Sequence, residues 1–135
     1  MQMPRPNPDV LMRKAELVRR LHAFLPSDSL ISDPVETKAY ECDGLSAYRC
    51  PPMAAVLPRS TQEVAAVLKL CHEMNVPVVP RGAGTSLAGG ALPTADSLIL
   101  GVARMNDVLE TDYENRVIKV QTGRTNLSVT GAVEA

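Results

Sequence analysis

An α+β fold is predicted for this chain: a βαβ unit, then a further strand and an antiparallel hairpin. Three observations carry the prediction. Two short apolar runs, Ala54-Ala55-Val56-Leu57 and Val76-Pro77-Val78-Val79, flank a stretch with helical periodicity. That stretch opens on Ser60-Thr61-Gln62-Glu63, the S-x-x-E of a capping box. A glycine-rich segment, PRGAGTSLAGG at 80–90, begins where the second apolar run stops. Two strands joined through one helix should lie parallel, with a right-handed connection.

The elements follow in chain order. Asn7-Pro8-Asp9 starts a helix: a capping side chain, a proline at the first helical position and an acid beside the positive end of the dipole. Leu17, Val18, Leu21, Phe24 and Leu25 continue it at helical spacing, and Pro26 closes it. Residues 1–26 are therefore set apart as an N-terminal helix. From Ser27 to Pro52 the pattern is irregular and no regular element is predicted. Beyond the first strand, Val64, Val67, Leu68, Cys71 and Met74 line one face of the helix, which Asn75 ends. Past the glycine stretch come Leu98-Ile99-Leu100, then Val108-Leu109-Glu110 and Val117 to Val120. The last two are joined by turn-forming Asp112-Tyr113-Glu114-Asn115, which makes a hairpin. Gly123 ends that strand, and Thr125 caps a last helix carrying Leu127, Val129, Ala132 and Val133. The sequence stops inside this helix, at Gly131-Ala132-Val133-Glu134-Ala135.

Composition narrows the function. With three tyrosines, one phenylalanine and no tryptophan, the core has to be built from Val, Leu, Ala and Met. A net charge of -1 with scattered basic residues leaves no footprint for nucleic acid. No apolar run suits a membrane span, and the mixed charges of Arg5, Asp9, Arg13 and Glu16 do not make a signal peptide. Cys42, Cys50 and Cys71 lack metal-ligand spacing and read as free thiols of a reduced, cytoplasmic protein.

The glycine stretch carries the chemistry. A Rossmann fingerprint fails because Leu87 stands at its third glycine; a P-loop fails because Gly90 stands where lysine belongs. The remaining pattern, R-G-x-G-T-x-x-x-G-G after a strand, suits a concave anion site made of backbone N–H groups. Thr85 and Ser86 add hydroxyl donors. The competing reading is a flexible surface turn, against which stand the apolar Leu87 and Ala88 and the exit through Ala91-Leu92-Pro93. The position is apt, because ligands of open α/β sheets bind beyond the carboxyl ends of the strands.

VPVVPRGAGTSLAGGALP resembles the pyrophosphate loop of FAD-linked oxidases of the vanillyl-alcohol oxidase/p-cresol methylhydroxylase type. The flanks YECDGLSAYRCPPMAAVLPRSTQEVAAVLKLCHEMNVPVVPRGAGT and LGVARMNDVLETDYENRVIKVQTG narrow the resemblance. They are similar to the FAD-binding subunits of bacterial glycolate oxidases and to D-lactate and D-2-hydroxyglutarate dehydrogenases, over roughly residues 10 to 135. The resemblance implies a vanillyl-alcohol-oxidase-type FAD-binding domain whose first part is residues 27–135, with the rest of that domain and the substrate domain lying elsewhere. It implies FAD diphosphate on the loop from Arg81 to Gly90. Gly82, Ala83, Gly84, Thr85 and Ser86 would donate to it, Gly89 and Gly90 would permit close approach, and Gly123 would lie nearby. Two departures from the family show: Ser86 and Ala88 replace the usual glycine and serine, and Thr122 replaces the usual proline before Gly123. The implied activity is oxidation of a small 2-hydroxy acid, with electrons leaving through partner subunits, one an iron–sulfur protein. Through them the protein would reach the inner face of the membrane. The rival reading is a shortened, non-catalytic module that binds a nucleotide or a partner subunit.

Other residues are read as structural. Tyr40, Asp43 and Tyr48 cover an aromatic-poor core or start a turn, the rival reading being that they reach a flavin; Arg104-Met105-Asn106 turns the chain, and His22 and His72 lack catalytic partners. Cys42 is a free thiol, not a flavin link. Catalytic residues are assigned to no position, and a metal to none.

Overall fold

The computed structural model describes residues 3–134. Met1, Gln2 and Ala135, which belong to the predicted N-terminal helical region and the chain's last segment, lie outside the described residues. Four helices are present among them: α1 (Pro8–Met12), α2 (Lys14–His22), α3 (Thr61–Glu73) and α4 (Asn126–Val133). The strands are β1 (Leu30–Ile31), β2 (Ala54–Val56), β3 (Val78–Arg81), β4 (Leu98–Gly101), β5 (Val108–Asp112) and β6 (Val117–Val120).

The single helix expected after Asn7 is two helices. The Asn7 side chain caps Asp9 N–H as predicted, but the chain breaks at Arg13. The Arg13 side chain explains the break: Nε donates to the Asp9 carbonyl, 3.0 Å, and Nη2 to the Met74 carbonyl, 2.9 Å. It thereby satisfies an orphan carbonyl at the end of α3. Val10, Leu17, Leu21 and Leu25 all enter one core with Val56, Val67, Leu98 and Leu100.

β1, β2, β4 and β3 form one sheet in that order. β1 runs antiparallel to β2, while β2 and β3 both run parallel to β4. The two strands of the βαβ unit are thus parallel, as expected, but not adjacent, because β4 inserts between them. β4 is accordingly an interior strand, with all four residues buried. β3 lies two residues later than the sequence suggested and takes in Pro80 and Arg81. Pro80 is tolerated because β3 has a ladder partner on one side only.

Helix α3 starts with Ser60 Oγ accepting from Glu63 N–H, 3.2 Å. The reciprocal bond goes from Arg59 N–H to Glu63, 2.7 Å, one residue earlier than in the standard box. Its core face is Val67, Leu70 and Cys71; Leu68, expected inside, is exposed because Leu70 faces the sheet side instead. Asn75 ends the helix at φ 53°. The segment predicted to be irregular, 27–52, contains β1 and two 3-10 turns, Ser27–Ser29 and Glu36–Tyr40.

β5 and β6 form a separate antiparallel hairpin with a bulge near Leu109. Its turn closes through Asp112, which accepts from Asn115 N–H and side-chain amide at 2.9 and 2.7 Å. Those bonds hold the Asp112 carboxyl below its ordinary value. Thr125 caps α4 by accepting from Ser128 N–H, 3.3 Å.

Candidate functional site

The glycine loop leaves β3 after Arg81, at the carboxyl ends of the three parallel strands. Gly84 and Gly89 have φ of 72° and 76°, the left-handed region that L side chains rarely adopt. Among the described residues, the N–H groups of Ala83, Gly84, Thr85, Ser86 and Leu87 donate to no protein acceptor. Ala88 N–H turns back onto Ser86 Oγ, 3.3 Å. A Cβ placed on Gly82, Gly89 or Gly90 would meet nothing, so the loop has an open side. Five successive unpaired donors on an exposed, glycine-shaped loop are what a backbone anion site requires.

Beneath the loop the molecule is tight. Arg81 is half-buried, and its Nη1 donates to the Cys42 carbonyl at 2.7 Å and to the Ala91 carbonyl at 3.4 Å. Its guanidinium carbon lies 5.7 Å from the centre of the Tyr40 ring, a cation–π distance. Gly44 packs so closely that a Cβ there would sit 2.6 and 2.8 Å from the Thr85 and Ser86 carbonyl oxygens. The irregular segment around 40–44 is therefore the floor of the glycine loop. Asp43 belongs to this floor: it is buried, Oδ1 accepts from Leu45 N–H at 2.9 Å, and Oδ2 has no partner.

On the other side a cleft of ≈ 370 Å³ separates the start of the loop from the start of α4. Gly82 and Ala83 line it together with Gly123, and so do Asn106, Arg124 and Thr125. Gly84, Thr85, Ser86, Gly89 and Gly90 lie outside its lining. Gly123 is held against the preceding turn, its N–H donating to the Met105 carbonyl at 2.8 Å. Arg124 braces the cleft wall, donating to the Asn106 carbonyl at 2.9 Å and the Ser128 carbonyl at 3.1 Å. Its Nε is buried without a partner. Asn106, Arg124 and Ser128 were not candidates from sequence. The cap at Thr125 was visible there, but its nearness to Gly82 depends on tertiary structure.

Elsewhere little suggests chemistry. A groove of ≈ 390 Å³ between α2 and α3 shares no residue with the loop, and its Arg20 is paired with Glu73 at 2.6 Å. His22 and His72 are exposed on their helices. The three cysteines are free thiols, and burial pushes Cys71 up to about 11. No cluster of three or more His, Cys, Asp or Glu able to hold a metal occurs among the described residues. No described helix is long and apolar enough to cross a membrane. Arg104 turns the chain as read, with Nη1 3.1 Å from Asp28 and 3.3 Å from Ser29 Oγ.

A sequence model of the FAD binding domain family matches residues 52–135. Glycolate oxidase subunit GlcD of Escherichia coli (strain K12) is 41% identical over 126 residues, 93% of this chain and 25% of that protein. D-lactate dehydrogenase of Anaerostipes hadrus is 36% identical over 109 residues, 80% of this chain and 23% of that one. Among solved structures, substrate-bound p-cresol methylhydroxylase matches with a TM-score of 0.79 at 22% identity. The match covers 89% of this chain and 24% of that one, a likeness of fold. The chain spans about a quarter of the length of the curated relatives it matches.

Proposed function

The chain belongs to the FAD-binding domain family, and from that premise we propose that it supplies the diphosphate-binding loop of an enzyme oxidising a small 2-hydroxy acid. Glycolate and D-lactate are the substrates favoured, on the strength of the glycolate oxidase and D-lactate dehydrogenase relatives. The fold is that of the N-terminal portion of a vanillyl-alcohol oxidase/p-cresol methylhydroxylase-type domain. In this reading residues 1–26 are a helical lead-in and 27–135 the first part of the domain.

One observation carries the proposal: the run of unpaired N–H groups from Ala83 to Leu87 at the carboxyl ends of parallel strands. The residues fit the cofactor. Gly82, Ala83, Gly84, Thr85 and Ser86 present N–H groups to diphosphate oxygens, and Thr85 and Ser86 add hydroxyls. The bare Cα atoms of Gly89 and Gly90 leave room for close approach, and Gly123 borders the cleft beside Gly82. Neutral amide donors, fixed before the ligand arrives, stabilise an anion without any lysine. When bound, FAD supplies the redox step by accepting the hydride equivalent from the substrate. This chain's residues bind and orient it. The cation for the substrate carboxylate and the base for its hydroxyl proton are assigned to none of them. The Escherichia coli relative is a subunit of its oxidase, which supports an assembly with further subunits; that one of them is an iron–sulfur protein is what the family resemblance implies.

Visible absorption of the protein at its native length, recorded after added FAD and desalting, tests the reading. Retained flavin bands are expected; a protein that leaves desalting colourless overturns it. In the protein at its native length Gly84→Val should abolish uptake, because valine is strained at φ 72° and its side chain enters the space of the Arg81 guanidinium. Unchanged flavin occupancy in that variant would refute the loop assignment.

A further inference from the structure

Arg81 stands at the end of β3, its Cα fixed by pairing with Gly101. Its side chain meets four neighbours at once. Nη1 ties the Cys42 carbonyl in the loop's floor to the Ala91 carbonyl at the loop's far end, and the guanidinium faces the Tyr40 ring. The fourth neighbour is Gly84. A Cβ on Gly84 would lie 2.2 Å from Arg81 Nη2, 2.4 Å from Cζ and 2.7 Å from Nε. The guanidinium therefore occupies the space that any side chain at 84 would need. Its hydrogen bonds to the Cys42 and Ala91 carbonyls oppose its moving aside. Arginine at 81 and glycine at 84 are a matched pair.

We infer that Arg81 is a positioning residue: a clamp beneath the loop that sets its curvature and holds the amides of Ala83 to Ser86 toward the diphosphate, without itself bonding to it. The inference rests on the FAD reading and assigns Arg81 a different task from the neighbouring loop residues. The planar fork of arginine suits this role, since it donates to two carbonyls while its face lies on an aromatic ring. A flexible glycine loop closed at both ends by one side chain loses conformational freedom before ligand arrives. That preorganisation raises affinity without a new ligand contact.

The test uses the protein at its native length, with Arg81→Met, Arg81→Lys, Gly84→Ala and the Arg81→Met/Gly84→Ala double variant. Backbone order is followed without cofactor by 15N relaxation, FAD affinity is titrated, and circular dichroism checks the fold. Arg81→Met should lower the order parameters of both 82–91 and 42–45 from about 0.85 toward about 0.6 or below, leaving α3 unchanged. It should weaken FAD by about tenfold or more. Arg81→Lys should recover part of the order, because an ammonium still donates to the Cys42 carbonyl. Gly84→Ala should weaken FAD binding less in the Arg81→Met background than alone, because the group it collides with is gone. Tyr40→Leu, which keeps the arginine, should loosen the same two segments to a smaller degree, and it serves if Arg81→Met does not fold.

Weaker FAD binding with unaltered order parameters, and additive effects of the two single variants, would make Arg81 a direct ligand and overturn the clamp. Unchanged order parameters together with unchanged affinity overturn it equally. If the parent protein takes up no FAD while Arg81→Met still loosens both segments, the FAD reading fails and the clamp stands.

Discussion

Replacing Gly123 by alanine should destabilise the molecule heavily, although no unusual dihedral is involved. The demand at Gly123 is for the absence of a side chain. A Cβ there would lie 2.1 Å from the Val102 carbonyl oxygen and 2.9 Å from that of Met105. Both are main-chain atoms, so no rotamer change relieves the contact. The turn at 102–105 must move away from the strand end at 120–123, stretching the 2.8 Å bond from Gly123 N–H to the Met105 carbonyl. Forced main-chain shifts of this kind cost about 1–3 kcal/mol, and the lost hydrogen bond about 1 kcal/mol more. The expected total is about 2–4 kcal/mol. For 135 residues, an unfolding entropy of about 2.1 cal/mol/K per residue gives about 0.28 kcal/mol/K, so the melting point should fall by about 7–14 °C. Thermal unfolding followed by circular dichroism measures this directly. Hydrogen exchange should also quicken at 121–125, where the cleft wall loosens, before it does in α3. A melting point within about 2 °C of the parent, with unchanged exchange at 121–125, would refute the close approach of these segments.

Two further outcomes concern ionisable groups. Burial works to raise the Asp96 carboxyl, but the N–H of Asn7, 2.8 Å away, and the Thr94 hydroxyl outweigh it and leave it below its ordinary value. A lowered carboxylate stabilises the fold above its unfolded value, about 3.9, and loses that contribution as pH falls through the folded value. Asp96→Asn should therefore be less stable than the parent by about 1 kcal/mol at pH 7, with the gap closing in urea titrations as pH falls below the unfolded value; a gap constant across pH would contradict this. Cys71, 1% exposed and pushed up to about 11 by burial, should resist iodoacetamide at about pH 8 in the folded protein. Half-buried Cys42 should be alkylated, and mass spectrometry showing equal modification of the two would be the contrary result.

What could be read beforehand was whatever is local. Capping at Asn7, Ser60 and Thr125 depends on one side chain and a nearby N–H, and all three caps form. β4 was legible as Leu98-Ile99-Leu100 because a strand buried on both faces is a continuous apolar run. Its insertion between β2 and β3 was not, since strand order depends on how a long connection travels. β1 escaped notice because two residues carry no period, and it exists only through pairing with Ala55 and Val56. The face of α3 was misjudged at Leu68, where leucines at 68 and 70 compete and packing decides. In the site, glycine spacing announced the loop, yet its floor at Tyr40, Cys42 and Gly44 comes from a segment with no pattern of its own. The helix start at Thr125 was visible, but its distance from Gly82 was not.

The connection between β3 and β4 has a thermodynamic consequence. Parallel neighbours are usually joined by a helix whose apolar face docks on the sheet and stabilises the crossover independently. Here residues 82–97 make the passage without a helix, and their buried contribution reduces to a few residues such as Ala91, Pro93, Asp96 and Ser97. β3, held by one neighbour, and the loop that follows it therefore form a segment with a small opening free energy. Whatever occupies the loop resists that opening. A ligand present at about one hundred times its dissociation constant adds about 2.7 kcal/mol against it. Cofactor saturation and the docking of a strand are thus one equilibrium, and this crossover should be cut by proteases faster when the loop stands empty than when it is filled.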